Sequence, residues 1–217
     1  VAHLVGGRGS RDDLVLDPLS VSELLGSDVV VEEKVDGANV AIWAGRGGQP
    51  EVGLRGGSDA MDRAGQRGPL KAWVAQYEQA VRAILDRGWA VYAEWLLLTH
   101  TVAYDRLPSY LVVLDLWREG EGFASVEERD ATATAAGLWV PPELWRGVPG
   151  SLDRVEALLG TSVWGPGPAE GLVVRRDGLG EPRLAKLVRA GFDRIADEAW
   201  AGGRPRNRLV EGQVSWR

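Results

Sequence analysis

The chain has 217 residues, 45% of them hydrophobic and 26% charged, with a formal net charge of −6, the balance of an ordinary globular protein long enough for a sizeable core. It contains no cysteine and only two histidines, His3 and His100. This excludes disulfides, thiolate metal sites and a cysteine nucleophile, and argues against His-rich metal clusters and most Ser-His hydrolases, while hard-cation chemistry on carboxylates stays open.

The opening stretch "VAHLVGGRGSRDD" lacks the apolar core of a signal peptide, and no uninterrupted apolar run approaches a membrane span. A cytoplasmic protein with no membrane partner is expected. "GGRGS" at residues 6 to 10 resembles a phosphate-cradling loop only superficially, because the following Lys-Ser/Thr is missing. In "VVVEEKVDGANVAIW", residues 29 to 35 and 38 to 43 read as strands, and Asp36-Gly37 between two β-prone runs predicts a hairpin turn. The polar, Gly-rich residues 55 to 68 predict a surface loop. Apolar residues at 70, 73, 74, 77, 81, 84 and 85 have helical spacing, with Pro69 suited to the first turn, Gly88 to the C-terminal cap and Trp73 to the core.

Strands are expected at 89 to 96 and 110 to 117. Ser125 and Glu128 have the spacing of a capping box at the start of a helix, and residues 151 to 160 predict another short helix. Two further strands, "GLVVRR" and "RLAKLV", precede a last helix from about 192 to 201. This layout predicts an α+β fold with antiparallel sheets, as one domain over residues 1 to 217. Residues 183 to 217 hold eight Lys/Arg against four Asp/Glu, and the tail from 202 to 217 is a short basic segment suited to meeting phosphates, with Trp200 and Trp216 the tryptophans best placed for an exposed surface.

Charged residues that interrupt apolar strands carry the functional signal. Lys34, Glu94, Asp115, Glu170 and Lys186 each sit within or beside a strand-like segment. One such residue alone reads as solvent-facing. Several on separate strands, lysines and glutamates together, fit a cleft handling a phosphate and a divalent metal, since lysines meet phosphate oxygens and carboxylates hold Mg²⁺ or Mn²⁺.

"EKVDGANV" matches the K-x-D-G-x-N signature of covalent nucleotidyltransferases, which include ATP-dependent RNA and DNA ligases and mRNA capping enzymes. Further elements follow in order: "LRGG" around Arg55, "YAEW" at motif III, "HTVAYDRLPSYLVVLDLW" through motif IIIa, "AEGLVV" at motif IV and "AKLVRAGF" at motif V. Over residues 31 to 192 the chain resembles the ATP-dependent RNA ligase family, particularly its small phage nick-sealing type.

That resemblance implies a nucleotidyltransferase (ATP-grasp-like) domain with antiparallel sheets flanked by helices. Because only about 25 residues follow motif V, it also implies no OB-fold domain. It makes Lys34 the nucleophile that takes AMP from ATP, attacking as the free amine, with Asp36 shaping its presentation and acting during sealing. Glu33 is implied near the adenine edge and Asn39 among the nucleotide contacts. Arg55 and Glu94 would engage the ribose or acceptor end, Val173 one face of adenine, and Lys186 the α-phosphate, with Arg189 in the place of a second motif V lysine. Glu94 and Glu170 are the implied ligands of Mg²⁺ or Mn²⁺. The implied partner is nucleic acid with 5′-phosphate and 3′-hydroxyl ends, RNA favoured, with either the local basic surface or a partner protein acting as clamp to hold the ends. A small DNA-nick ligase and a noncatalytic module binding nucleotides or nucleic-acid ends stay open as alternatives. Three positions depart from the family pattern: Leu114 stands where Phe is usual, Ala93 where Gly is usual, and Val188 two residues after Lys186 where a lysine is usual.

Overall fold

A computed structural model describes residues 2–4, 15–54, 65–177, 184–193 and 203–211. Its elements in chain order are β1 (Ala2–His3), α1 (Pro18–Leu25), β2 (Val29–Lys34), β3 (Ala38–Ala44), β4 (Pro50–Leu54), α2 (Arg67–Gln76), α3 (Glu78–Leu85), β5 (Ala90–Trp95), β6 (Leu111–Arg118), β7 (Gly122–Phe123), α4 (Val126–Ala135), β8 (Glu143–Gly147), α5 (Leu152–Glu156), β9 (Gly171–Arg175) and β10 (Leu184–Val188). They divide into two compact units, the first made of residues 1–36, 100–104 and 141–204 and the second of 37–99, 105–140 and 205–217.

The first unit is built on a five-stranded sheet in the order β1-β10-β9-β2-β8. All its pairings are antiparallel except β1 on β10. Val29, Val31, Leu172, Val174, Ala185 and Leu187 alternate along β2, β9 and β10 and form one apolar face, which packs with Leu4, Leu24, Leu25 and Val155 as a core. Each of the larger side chains gains roughly 1.5–3 kcal/mol by leaving water. The α1 helix begins where Asp17 accepts the backbone N–H groups of Leu19 and Ser20, with Pro18 at its first position, an N-terminal start that satisfies otherwise orphaned donors.

The second unit carries an antiparallel sheet ordered β4-β3-β5-β6-β7. Leu70, Trp73, Val74, Val81, Ile84 and Leu85 from α2 and α3 are buried, and the Trp73 ring meets Trp95 edge-on at 6.2 Å. The expected single helix through 70–85 is two, because Tyr77 leaves helical geometry at φ −103°, ψ 24°, where its ring stacks on Trp73 at 4.5 Å. The Ser125 hydroxyl accepts the Glu128 N–H at 3.1 Å and starts α4, as its capping-box spacing predicts. At residues 205–210 the chain returns to this unit, pairing Arg206 with Leu98 and Leu209 with Leu107.

The hairpin expected at Asp36-Gly37 does not form. β2 pairs with β8 and β9, whereas β3 pairs with β4 and β5. A two-residue hairpin turn of the Asp-Gly type requires positive φ, and Gly37 is not among the glycines that adopt it. Glycine serves there because a Cβ would lie 2.6 Å from the Trp95 carbonyl oxygen. Most of the expected loop at 55–68, the residues from 194 to 201 of the expected last helix, residues 6 to 10 and the end of the basic tail lie outside the described residues, as do Trp200 and Trp216.

Candidate active site

Strand register decides which side chains share a surface. Lys34 lies opposite Gly171 and Glu32 opposite Val173 on β9, and Lys186 of β10 lies opposite the same Val173. Directly opposed residues project from one side of a sheet. Glu32, Lys34, Val173 and Lys186 therefore occupy the face away from the Val31–Leu172–Leu187 core, and Val173 and Lys186 are half-buried there.

The Lys34 Nζ donates to Glu170 Oε2 at 2.6 Å, the lysine side chain being 17% exposed and the carboxylate 2%. A cation reaches so enclosed a position only with such a partner. Glu170 stands immediately before β9, and its backbone carbonyl accepts the Arg189 N–H at 2.9 Å. The Arg189 side chain donates from Nε to the Ala169 carbonyl at 3.1 Å. Arg189 thus sits just beyond the end of β10 and against the residues that carry the carboxylate.

Glu33 follows the alternation onto the core side of β2. Its carboxylate accepts the Ser162 hydroxyl at 2.5 Å and the Val163 N–H at 2.7 Å. Burial pushes this carboxyl above its ordinary value, and the two hydrogen bonds pull the other way.

Asp36 is 5% exposed, and one carboxylate oxygen accepts the backbone N–H groups of Thr101 at 2.6 Å and Val102 at 2.8 Å. Its own N–H donates to the Tyr104 phenol oxygen at 2.7 Å. Burial drives the Tyr104 hydroxyl well above its usual titration range, so the phenol stays protonated and keeps both its donor and its acceptor roles.

Within the second unit, Glu94 is 8% exposed and accepts the Gly37 N–H at 3.0 Å, with the Asn39 amide 3.5 Å from its other oxygen. Asn39 lies directly opposite Glu94 in the register. Leu114 falls where the β5–β6 register skips, with Tyr92 opposite Asp115 and Ala93 opposite Val113. Its place in the motif is therefore a β-bulge, a device that re-aims side chains. Arg55 lies outside the described residues.

Sequence reasoning missed the ion pair of Glu32 with Arg175, both buried, on the face that carries Lys34. The doubled glutamate in "VVVEEK" was the available signal, because alternation gives neighbouring residues opposite faces. Ser162, Tyr104 and the Thr101–Val102 amides were given no role, although the last three lie in the "HTVAYDRLPSYLVVLDLW" segment and only Ser162 has no local mark.

Among the described residues no group of three or more histidines, cysteines, aspartates or glutamates could hold a metal ion. The donors fit a hard divalent cation in a narrower way. Glu170 would be one oxygen ligand, and Mg²⁺ or Mn²⁺ sites of that kind complete their shell with water and substrate phosphate.

A family model described as RNA ligase matches residues 27–188. The chain belongs to the RNA ligase family. This RNA ligase family member also resembles solved structures of Naegleria gruberi RNA ligase. With the pyrophosphate-bound protein the TM-score is 0.53 at 18% identity, covering 79% of this chain and 52% of that one. A lysine-to-alanine variant with ATP and Mn gives 0.53 at 17% identity, over 76% and 51%. A glutamate-to-alanine variant with ATP and Mn gives 0.50 at 16%, over 77% and 51%. At these identities the likeness establishes the fold alone, α+β with two antiparallel-rich sheets flanked by helices. The chain spans about half the length of the structures it matches. No curated protein matches it. Among the described residues no helix is long and apolar enough to cross a membrane.

Proposed function

We propose that this RNA ligase family member is an ATP-dependent ligase that stores AMP on Lys34, transfers it to a 5′-phosphate end and seals that end to a 3′-hydroxyl. The observation carrying this reading is the Lys34–Glu170 contact of 2.6 Å on a sheet face shared with Val173 and Lys186. A structural lysine would gain little from enclosure on a sheet face that also carries a second lysine. A nucleophile that must find a phosphate gains a positive surface and a fixed approach.

The steps follow from the residues. Glu170 holds the Lys34 ammonium in the resting site. For attack that proton leaves, the Nζ lone pair forms the N–P bond at the α-phosphorus, and the bond to the pyrophosphate oxygen breaks. Lys186 meets the negative charge growing on the α-phosphate, and Arg189 extends the cationic rim. Val173 offers an apolar surface to the adenine, with Glu33 bracing the adjoining strand edge. Asn39, Glu94 and Arg55 serve the ribose and the acceptor end. A divalent cation on Glu170 would supply Lewis-acid polarisation of phosphate oxygens, and the motif resemblance makes Glu94 a metal-ligand candidate within its own unit. In the later steps the 5′-phosphate oxygen displaces Lys34 from AMP, and the 3′-hydroxyl then displaces AMP, with Asp36 acting during sealing.

Incubation with α-labelled ATP and Mg²⁺ or Mn²⁺ tests the reading. A covalent label that survives denaturation and is lost in Lys34→Ala is expected. A wild-type chain that takes no label with either metal refutes it. RNA, DNA and mixed nicks offered in competition should be sealed in favour of RNA, and a preference for all-DNA nicks would instead make the chain a DNA-nick ligase.

A further inference from the structure

Residues 205–210 form a strap whose anchoring and charge are separated residue by residue. Asn207 is 3% exposed. Its side chain donates to the Leu96 carbonyl at 2.8 Å and accepts the Thr99 hydroxyl at 2.9 Å. Its backbone donates to the Leu97 carbonyl at 3.0 Å and accepts the Tyr110 hydroxyl at 3.1 Å. The Thr99 N–H to Pro205 and the Leu107 N–H to Arg208 close the strap at both ends. Arg206 and Arg208, either side of the buried Asn207, are exposed, as the period of two in extended chain requires. Among the described residues neither enters an ion pair. Because Leu209 pairs with Leu107 in parallel, Arg106 is the neighbour of Arg208 across the bridge. It is half exposed and pairs with Asp105 at 3.9 Å.

Fixing a polar anchor with four hydrogen bonds in order to display two unpaired cations is costly unless the cations have a use, since chain ordering consumes about 1–2 kcal/mol per residue. The strap lies along residues 96–99, which continue β5 only two residues beyond Glu94. Within this unit it is therefore continuous with the Asn39–Glu94 pair. In a chain of net charge −6, a basic strip of this kind is the local exception that gives a polyanion somewhere to land.

We propose that Arg206 and Arg208 of this anchored strap, with Arg106 beside them, hold the phosphate backbone of the RNA strand being sealed. The inference rests on the RNA-ligase reading and names the surface that takes its substrate. The two guanidinium groups start from backbone positions about 7 Å apart, a spacing that suits successive phosphates, and backbone contact of this kind carries no sequence preference.

The test is fluorescence anisotropy with a labelled, 5′-phosphorylated single-stranded RNA, titrated over a series of salt concentrations. Each phosphate contact to a single strand contributes about 0.7 to the slope of log affinity against log salt. The Arg206→Gln/Arg208→Gln pair should therefore lower that slope by about 1.4 and weaken binding at low salt, and Arg206→Glu/Arg208→Glu should weaken it further. Arg206→Lys/Arg208→Lys, which keeps both charges, should retain most of the slope. Thermal melts establish that each variant is folded; any variant that is not is replaced by the corresponding single substitution. Unchanged affinity and slope in the folded Gln and Glu variants overturn the proposal, as does a wild-type chain that does not bind this RNA. Labelling by α-labelled ATP, run beside it, distinguishes the failures: binding without labelling refutes lysyl-AMP formation and leaves the strap standing, and labelling without strap-dependent binding does the reverse.

Discussion

Replacing Asp36 separates its holding role from any chemical one. Both backbone N–H groups that it accepts, from Thr101 and Val102, end on the same carboxylate oxygen, at 2.6 and 2.8 Å, in a residue that is 5% exposed. Hydrogen bonds to a charged partner contribute about 1.5–3 kcal/mol each, so Asp36→Ala should cost roughly 3–6 kcal/mol with two donors left unmet. In Asp36→Asn the amide oxygen can still accept both, at about half the strength, and the cost should be about 1.5–3 kcal/mol. Against a typical total of about 5–15 kcal/mol, the alanine variant is near the edge of folding and the asparagine variant is not. Urea unfolding followed by circular dichroism measures both, the midpoint moving while the slope m stays constant. If Asp36→Ala unfolds within about 1 kcal/mol of wild type, the segment 100–104 is held by something else and the reasoning fails. If Asp36→Asn folds as described yet no longer seals RNA, the carboxylate also acts in the reaction.

Other expectations follow from single contacts. Gly171→Ala would put a Cβ 2.1 Å from the Leu187 carbonyl oxygen, a backbone atom that cannot swing aside, so a loss of about 3 kcal/mol or more is expected in the same unfolding assay. Tyr104→Phe strips the acceptor from the Asp36 N–H and should cost about 1–3 kcal/mol, seen as a lowered melting temperature. Glu33 is raised above its ordinary value by burial, so the folded chain holds its proton to higher pH than the unfolded one. Its contribution is then most favourable at acid pH and is lost as pH rises from the unfolded value through the folded one. Glu33→Gln should flatten that part of the stability profile, and an unchanged profile from urea melts across the range would count against a buried, raised carboxyl.

The readable parts of the sequence are those in which local pattern and tertiary burial agree. The Val-rich β2 and β9 and the helical spacing of Leu70, Trp73 and Val74 depend on periodicity alone, as does the cap at Ser125. Asp17-Pro18 was an equally local helix start that went unused. Asp36-Gly37 misled because the same dipeptide meets two demands, a turn or a close approach, and only the packing around Trp95 distinguishes them. The partners of Glu33 lie 129 and 130 residues downstream, so no window of sequence could assign them. Lys34 on β2 and Lys186 on β10 share one face of a single sheet with β9 between them and Glu170 just before β9, an arrangement that only motif order across distant segments could suggest.

The interleaving of segments sets a timetable for biosynthesis. β2 is made early, but both of its sheet neighbours, β8 and β9, come more than a hundred residues later, so Lys34 leaves the ribosome with neither flank of its sheet and without Glu170. Pairings that distant form slowly. A nascent chain holds Lys34 without its buried ion-pair partner until synthesis has passed residue 170, and a fragment ending before Glu170 would never form that pair.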